Sequence, residues 1–268
     1  MRQPLLAALL LATVPACAPV EGGSGAASTR AALDAAVASP SRTPANVARD
    51  RYRNPAATLA FFGVEPDDTV VEISPGGGWY TEILAPYLRA NGRYIAATSE
   101  RGAAPINAMK MANPALYDAV EIVRFPAPDG TPVQPAGTAD VVLTFRNVHN
   151  WMLANPPVAD RVFAQAFQML KPGGVLGVVE HRLPENADGA REARSGYVKT
   201  STVRRLAEAA GFRLAGQSEI NANPRDTADH PEGVWTLPPT YRLGDTDRAR
   251  YAAIGESDRM TLKFVKPR

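Results

Sequence analysis

Val70-Val71-Glu72-Ile73-Ser74-Pro75-Gly76-Gly77-Gly78-Trp79-Tyr80-Thr81 is the stretch on which the reading of this chain turns. Residues 69–73 are a short apolar, β-branched run, the signature of a buried strand. A glycine cluster stops it. Helical periodicity follows over residues 79–90, with Ile83, Leu84, Tyr87 and Leu88 on one side and Gly92 as the stop signal. Glycines let a backbone approach a ligand closely and take positive φ. A helix start after them offers unpaired N–H groups. By itself such a turn fits a dinucleotide, a nucleoside or a purely structural bend. A dinucleotide fingerprint needs a third glycine, and from Gly76 that position falls on Thr81.

Outward from this turn, strands and helices alternate. Residues 94–97, 120–125, 140–145, 175–180, 212–220 and 260–265 read as further strands. Residues 54–62, 107–117, 160–170 and 202–210 read as helices, the first entered by Asn54-Pro55 and the last closed by Gly211. Continuously apolar strands separated by such helices indicate a parallel sheet covered on both faces. Residues 221–257 are polar and proline-rich with little periodicity. An insertion of that length inside a compact domain reads as a lid or binding loop.

The glycine stretch resembles the first motif of class I S-adenosylmethionine-dependent methyltransferases, with Glu72, Ser74, Gly76 and Gly78 at the motif positions and Ser74 in place of the first glycine. The resemblance continues through Ala139-Asp140-Val141-Val142-Leu143, Met169-Leu170-Lys171-Pro172-Gly173-Gly174 and Glu208-Ala209-Ala210-Gly211-Phe212, covering about residues 55–265. It is nearest to a group of exported bacterial members. It implies a Rossmann-like, doubly wound α/β fold with a seven-stranded sheet, mostly parallel with an antiparallel last strand. It implies S-adenosylmethionine as cofactor, held by Glu72, Ser74, Gly76, Gly78, Thr98 and Asn147. Thr98 stands where the family places an acid for the ribose, with Glu100 two residues on. Phe125-Pro126-Ala127-Pro128 stands where another acid is common, with Asp129 the nearest.

A second constellation is Phe145-Arg146-Asn147-Val148-His149-Asn150-Trp151. It follows a strand at the carboxyl edge, where ligands sit in open α/β sheets. Arg146 suits bidentate capture of a carboxylate or phosphate. His149 suits a general base, its ordinary pKa lying near neutrality. Asn150, His181 and Tyr197 complete the expected acceptor site. The competing reading is that Arg146 and Asn147 tie down a loop while His149 and Trp151 pack. Glu180 and His181 follow the next strand at the same edge. No metal is expected from His149, His181 and Glu180, whose spacing matches no ligand pattern.

The chain has 268 residues, 45% hydrophobic and 21% charged, with a formal net charge of +2. That balance, without Lys/Arg clusters, points away from nucleic acid and toward a small-molecule substrate. Arg2 and the apolar residues 5–14 read as a signal peptide. Val14-Pro15-Ala16-Cys17 resembles a lipobox, which would make Cys17 the site of a lipid anchor in an exported, membrane-anchored chain; Ala16-Cys17-Ala18 also fits an ordinary Ala-x-Ala cleavage site, which would leave the exported chain periplasmic. Residues 19–28 read as a flexible linker and 29–268 as the domain. Two functions follow as alternatives: methyl transfer to a small acceptor, or an envelope lipoprotein that keeps the fold and binds another metabolite.

Overall fold

The structure, a computed structural model, describes residues 23–268, with side chains from residue 27. The expected signal peptide and Cys17 therefore lie outside the described residues. Four helices lead in: α1 (Gly23–Val37), α2 (Pro44–Val47), α3 (Asp50–Arg53) and α4 (Pro55–Phe62). The first begins at Gly23, inside the stretch read as a linker, so residues 23–28 are helical. The α3–α4 corner is set by Asn54 in the left-handed region (φ 40°), and Gly63 ends α4 with φ 78°.

Strands and helices then alternate through β1 (Thr69–Ile73), α5 (Thr81–Leu88), β2 (Arg93–Thr98), α6 (Glu100–Ala112), α7 (Pro114–Tyr117), β3 (Glu121–Arg124) and β4 (Ala139–Phe145). Next come α8 (Val148–Leu153), α9 (Ala159–Met169), β5 (Leu170–Leu183), β6 (Val198–Lys199), α10 (Thr200–Ala209) and β7 (Arg213–Ser218). The chain closes with α11 (Arg248–Ile254) and β8 (Arg259–Val265).

The sheet order is β3-β2-β1-β4-β5-β8-β7. Seven strands were expected along this path; the eighth, β6, is a two-residue pairing on the end of β5. All pairings from β3 to β5 are parallel, while β8 runs antiparallel between β5 and β7. The Lys171-Pro172-Gly173-Gly174 turn is absorbed into β5, with Gly173 at φ 82° and a register shift opposite Ala139/Val141. Both sheet faces are buried. Val71, Ile73 and Val142 pack into one core and Val70, Val141 and Leu143 into the other, as the two-residue side-chain period requires. Gly177 is fixed by this packing, because a Cβ there would collide with Leu143 and Phe62. Among the described residues no helix is long and apolar enough to cross a membrane.

The insertion 221–257 is ordered over the sheet's carboxyl edge. It contains a short 3-10 turn (Gly233–Thr236) and α11. A small core of Leu183, Tyr197, Ala228 and Val234 pins it down, helped by Val234 N donating to Ser195 O at 2.8 Å.

Candidate functional site

Strands β1, β4 and β5 end at one edge of the sheet. Because β8 runs the other way, its first residue, Arg259, joins them there, paired in register with His181. These strand ends, the α2–α3 corner and the insertion enclose a cavity of about 350 Å³, within the size range of small-molecule sites. Glu72, Ser74, Gly76 and Gly77 form one wall. Arg146, Asn147, His149 and His181 form another. Val234, Trp235 and Pro238 of the insertion cover it.

The glycine turn leaves β1 through Ser74 at φ 54°, followed by Gly76 at 61° and Gly78 at 83°. Left-handed backbone costs an L-residue about 1–2 kcal/mol, so Ser74 holds a strained conformation at the cavity wall. Ser74 N donates to Ala97 O at 2.8 Å. Asn147 Nδ2 braces the turn from β4, donating to Ile73 O at 3.1 Å and Ser74 O at 3.3 Å. Asn147 thus ties the turn down while lining the cavity. Gly76 and Gly77 are exposed, with open space where a side chain would stand.

Glu72 is 3% exposed. Tyr94 Oη donates to its Oε2 at 2.6 Å, and Thr81 Oγ1 lies 2.8 Å from that hydroxyl. Burial raises the Glu72 carboxyl from 4.5 to about 7, against the opposing pull of the Tyr94 hydrogen bond and of Arg146 and Arg53.

His149, at the start of α8, is buried and held by Glu180. Its Nδ1 lies 2.9 Å from Glu180 Oε1. Glu180 also accepts His181 N at 2.8 Å, Val148 N at 2.6 Å and His149 N at 3.3 Å. A carboxylate only accepts, so Nδ1 is the donor in its contact with Glu180, and Nε2 is the ring nitrogen turned away from that carboxylate. The His149 and His181 rings lie 5.2 Å apart, and Trp235 meets His149 edge-on at 6.1 Å. His181 Nδ1 lies 2.5 Å from Ser257 Oγ. Burial, then His149 and the neighbouring arginines, pushes His181 well below its ordinary value, so it is neutral.

His149, Glu180 and His181 are close enough to share a metal, with candidate ligand atoms within 4.8 Å of one another. The hydrogen bonding opposes that use: the acceptor positions of Glu180 are already taken. The local charge opposes it as well. Arg49, Arg53, Arg146 and Arg259 all line the cavity. Arg53 and Arg259 are 3% and 2% exposed. Their direct partner is one buried carboxylate, Glu256, which Arg49 Nε meets at 2.5 Å, Arg53 Nε at 3.3 Å and Arg259 by a shorter contact. Burial pushes Glu256 up, but Arg259 and Arg53 more than offset it, bringing the carboxyl down to about 2. Burial, then repulsion from Arg146, lowers Arg53 to about 8; burial, then Arg259, lowers Arg146 to about 10. Arg53 Nη1 and Nη2 and Arg259 Nε have no hydrogen-bond partner. A buried donor left unpaired costs about 1–3 kcal/mol, and more when charged. Arg146 carries a left-handed backbone (φ 62°) where β4 ends, its N–H donating to Val179 O at 2.7 Å. Strained backbone of this kind concentrates at functional sites.

Several expected site residues lie elsewhere. Thr98 is buried and does not line the cavity; a Cβ on Gly102 would collide with its hydroxyl, because α6 begins directly on the strand end. Gly78 is tucked against Met109 and Ile106 and does not line the cavity. Asn150 is exposed and outside the lining. Tyr197 is fully buried and serves the insertion, its hydroxyl donating to Asp226 at 3.0 and 3.1 Å. Conversely, Arg49, Arg53, Arg259 and Asn46 line the cavity without having been expected there. For Arg49 and Arg53 the only sequence signal is the density of charge in Arg49-Asp50-Arg51-Tyr52-Arg53; Asn46 and Arg259 carry none. Trp79 both packs and lines the site. The guanidinium groups of Arg53 and Arg42 lie over its ring at 4.5 and 5.2 Å, and its Nε1 donates to Asn46 O at 3.1 Å.

No protein-family model matches the chain, and no curated protein sequence does. Its fold is nevertheless shared with many solved structures. A SAM-dependent methyltransferase from Aquifex aeolicus is 15% identical, with a TM-score of 0.54 covering 88% of this chain and 98% of that one. A geranyl diphosphate methyltransferase in complex with SAM is 15% identical, with a TM-score of 0.52 covering 87% and 94%. The [4+2]-cyclase SpnF is 17% identical, with a TM-score of 0.55 covering 80% and 82%. These likenesses establish the fold, and the cyclase among them illustrates that a fold does not dictate a reaction.

Proposed function

We propose that this protein transfers a methyl group from S-adenosylmethionine to a small-molecule acceptor, in an exported chain anchored through Cys17. The observation that carries the reading is a juxtaposition. The open glycine turn after β1 and His149, held from behind by Glu180, line one cavity.

The residues fit the cofactor at its amino-acid end. Gly76 and Gly77 leave free space at the cavity wall, and Glu72 offers a carboxylate beneath them. At the ribose end Thr98 is covered, and the carboxylate at that edge is Glu100, exposed in the first turn of α6. When bound, the cofactor supplies an electrophilic methyl group on a sulfonium.

The chain's own residues do the rest. Arg146 and Asn147 position the acceptor and brace the turn. His149 Nε2 accepts the acceptor's proton, and Glu180 stabilises the imidazolium that forms, orienting the ring throughout. Trp235, Val234 and Pro238 keep bulk water from the reacting centre. Holding nucleophile and methyl donor in line is the main source of rate in such a transfer.

Calorimetry tests the reading on the full chain. Saturable heat with S-adenosylhomocysteine is expected, lost in a folded Gly76→Val variant; no heat at millimolar concentration rejects it. The covered Thr98 favours a second reading, a binding protein of the same fold without chemistry. Release of labelled methyl to any acceptor would exclude that alternative.

A further inference from the structure

We propose that the cavity is built to hold an oxyanion, a carboxylate or phosphate group carried by the acceptor, on Arg146, Arg53 and Arg259. The substrate class named here rests on the methyl-transfer reading, but the anion site itself stands on separate observations.

The first observation is uncompensated charge. Four guanidinium groups, from Arg49, Arg53, Arg146 and Arg259, line the cavity, and the buried carboxylates beside it are Glu256, Glu72 and Glu180. Even with all three ionised, one positive charge remains. The second is unused donors. Arg53, 3% exposed, has both Nη atoms unpaired, and Arg259, 2% exposed, has Nε unpaired. Arg146 forms no side-chain hydrogen bond or ion pair with any described residue. Arg146, with its left-handed backbone, shares a small void with Arg53 and Arg259.

Water alone does not answer this arrangement. Arg53, Arg146, Arg259, Tyr80, Phe145 and Asn221 share a void of about 10 Å³ beside the main cavity. That space holds about one water molecule. Such a water would satisfy donors and the unpaired Asn221 Oδ1, but it carries no charge. A forked guanidinium cluster of this kind matches the paired oxygens of a carboxylate or phosphate. The direction of the Arg53 and Arg146 shifts agrees: burial first, then repulsion among the arginines, disfavours their charged forms, and Glu256 only partly opposes this. A sulfonium at the adjacent glycine turn would feel the same repulsion. An anionic acceptor relieves it and so favours assembly of both ligands.

The test uses the full chain at pH 7 and constant ionic strength, without cofactor. Inorganic phosphate and succinate are titrated by calorimetry, with chloride as control. Saturable binding of either oxyanion, absent with chloride, is expected; which of the two binds tells phosphate from carboxylate. Arg53→Gln and Arg146→Lys should each weaken it at least tenfold, the latter because charge is kept and the fork is lost. No saturable binding of either anion, or binding unchanged in both folded variants, overturns the proposal. Phosphate that competes with S-adenosylhomocysteine also overturns the assignment to the acceptor, because the arginines would then serve the cofactor's own carboxylate. Homocysteine-product binding is measured separately, so failure of the anion site and failure of the methyl-transfer reading give different results.

Discussion

Replacing Glu72 by Gln should stabilise this protein at pH 8 and leave it unchanged near pH 5. Glu72 sits under the glycine turn, 3% exposed, and burial lifts its carboxyl from 4.5 to about 7. For a carboxyl raised on folding, the folded state holds the proton more tightly than the unfolded state. The associated stability is present below pH 4.5 and is lost as pH rises through about 7. At 1.36 kcal/mol per pH unit, the ionised form at pH 8 costs the fold about 3 kcal/mol. Gln keeps the shape and still accepts from Tyr94, but its amide hydrogens lack an evident acceptor, which returns about 1 kcal/mol. The net gain is about 2 kcal/mol at pH 8, or roughly 4–8 °C in Tm for a domain of this size. Thermal and urea unfolding of both proteins at pH 5 and pH 8 measures it. A difference between them that does not change with pH would refute the reasoning.

Other outcomes follow from the same geometry. His149→Ala should lower kcat by about 10²–10⁴-fold with little change in KM, read from initial rates once an acceptor is in hand; Glu180→Gln should lower it too, by releasing the ring. Gly177→Ala should cost about 1–3 kcal/mol by overpacking Leu143 and Phe62, measured by urea denaturation. Cys17→Ser should move the expressed chain from the membrane fraction to the soluble one, seen by fractionation and blotting.

The sheet was legible in the sequence because its signals are local. Residues 69–73 are an apolar run stopped by glycine, and they form β1 with those boundaries. The helix between Pro55 and Gly63 is bounded by its own caps. The arginine cluster was not legible, because α3, the end of β4 and the start of β8 supply it from three distant places, and only the antiparallel run of β8 brings Arg259 to the carboxyl edge. Asn150 was misplaced because adjacent helical residues point about 100° apart, so a neighbour of His149 need not share its cavity. Thr98 was misplaced because the strand end alone does not reveal that α6 covers it. Tyr197 was read as a pocket residue where it is a buried anchor for the insertion through Asp226. The insertion reads in the sequence as a lid or binding loop, but which of its residues reach the cavity, Trp235 and Val234 among them, depends on packing that no periodicity encodes.

The central claim is that the glycine turn after β1 holds the methyl donor beside His149. A crystal structure grown with S-adenosylhomocysteine tests it most directly. Density for the amino-acid end of the ligand against Gly76 and Gly77, with its sulfur on the His149 side of the cavity, is the expected result. A turn empty at millimolar ligand, or ligand bound away from Gly76, would contradict it.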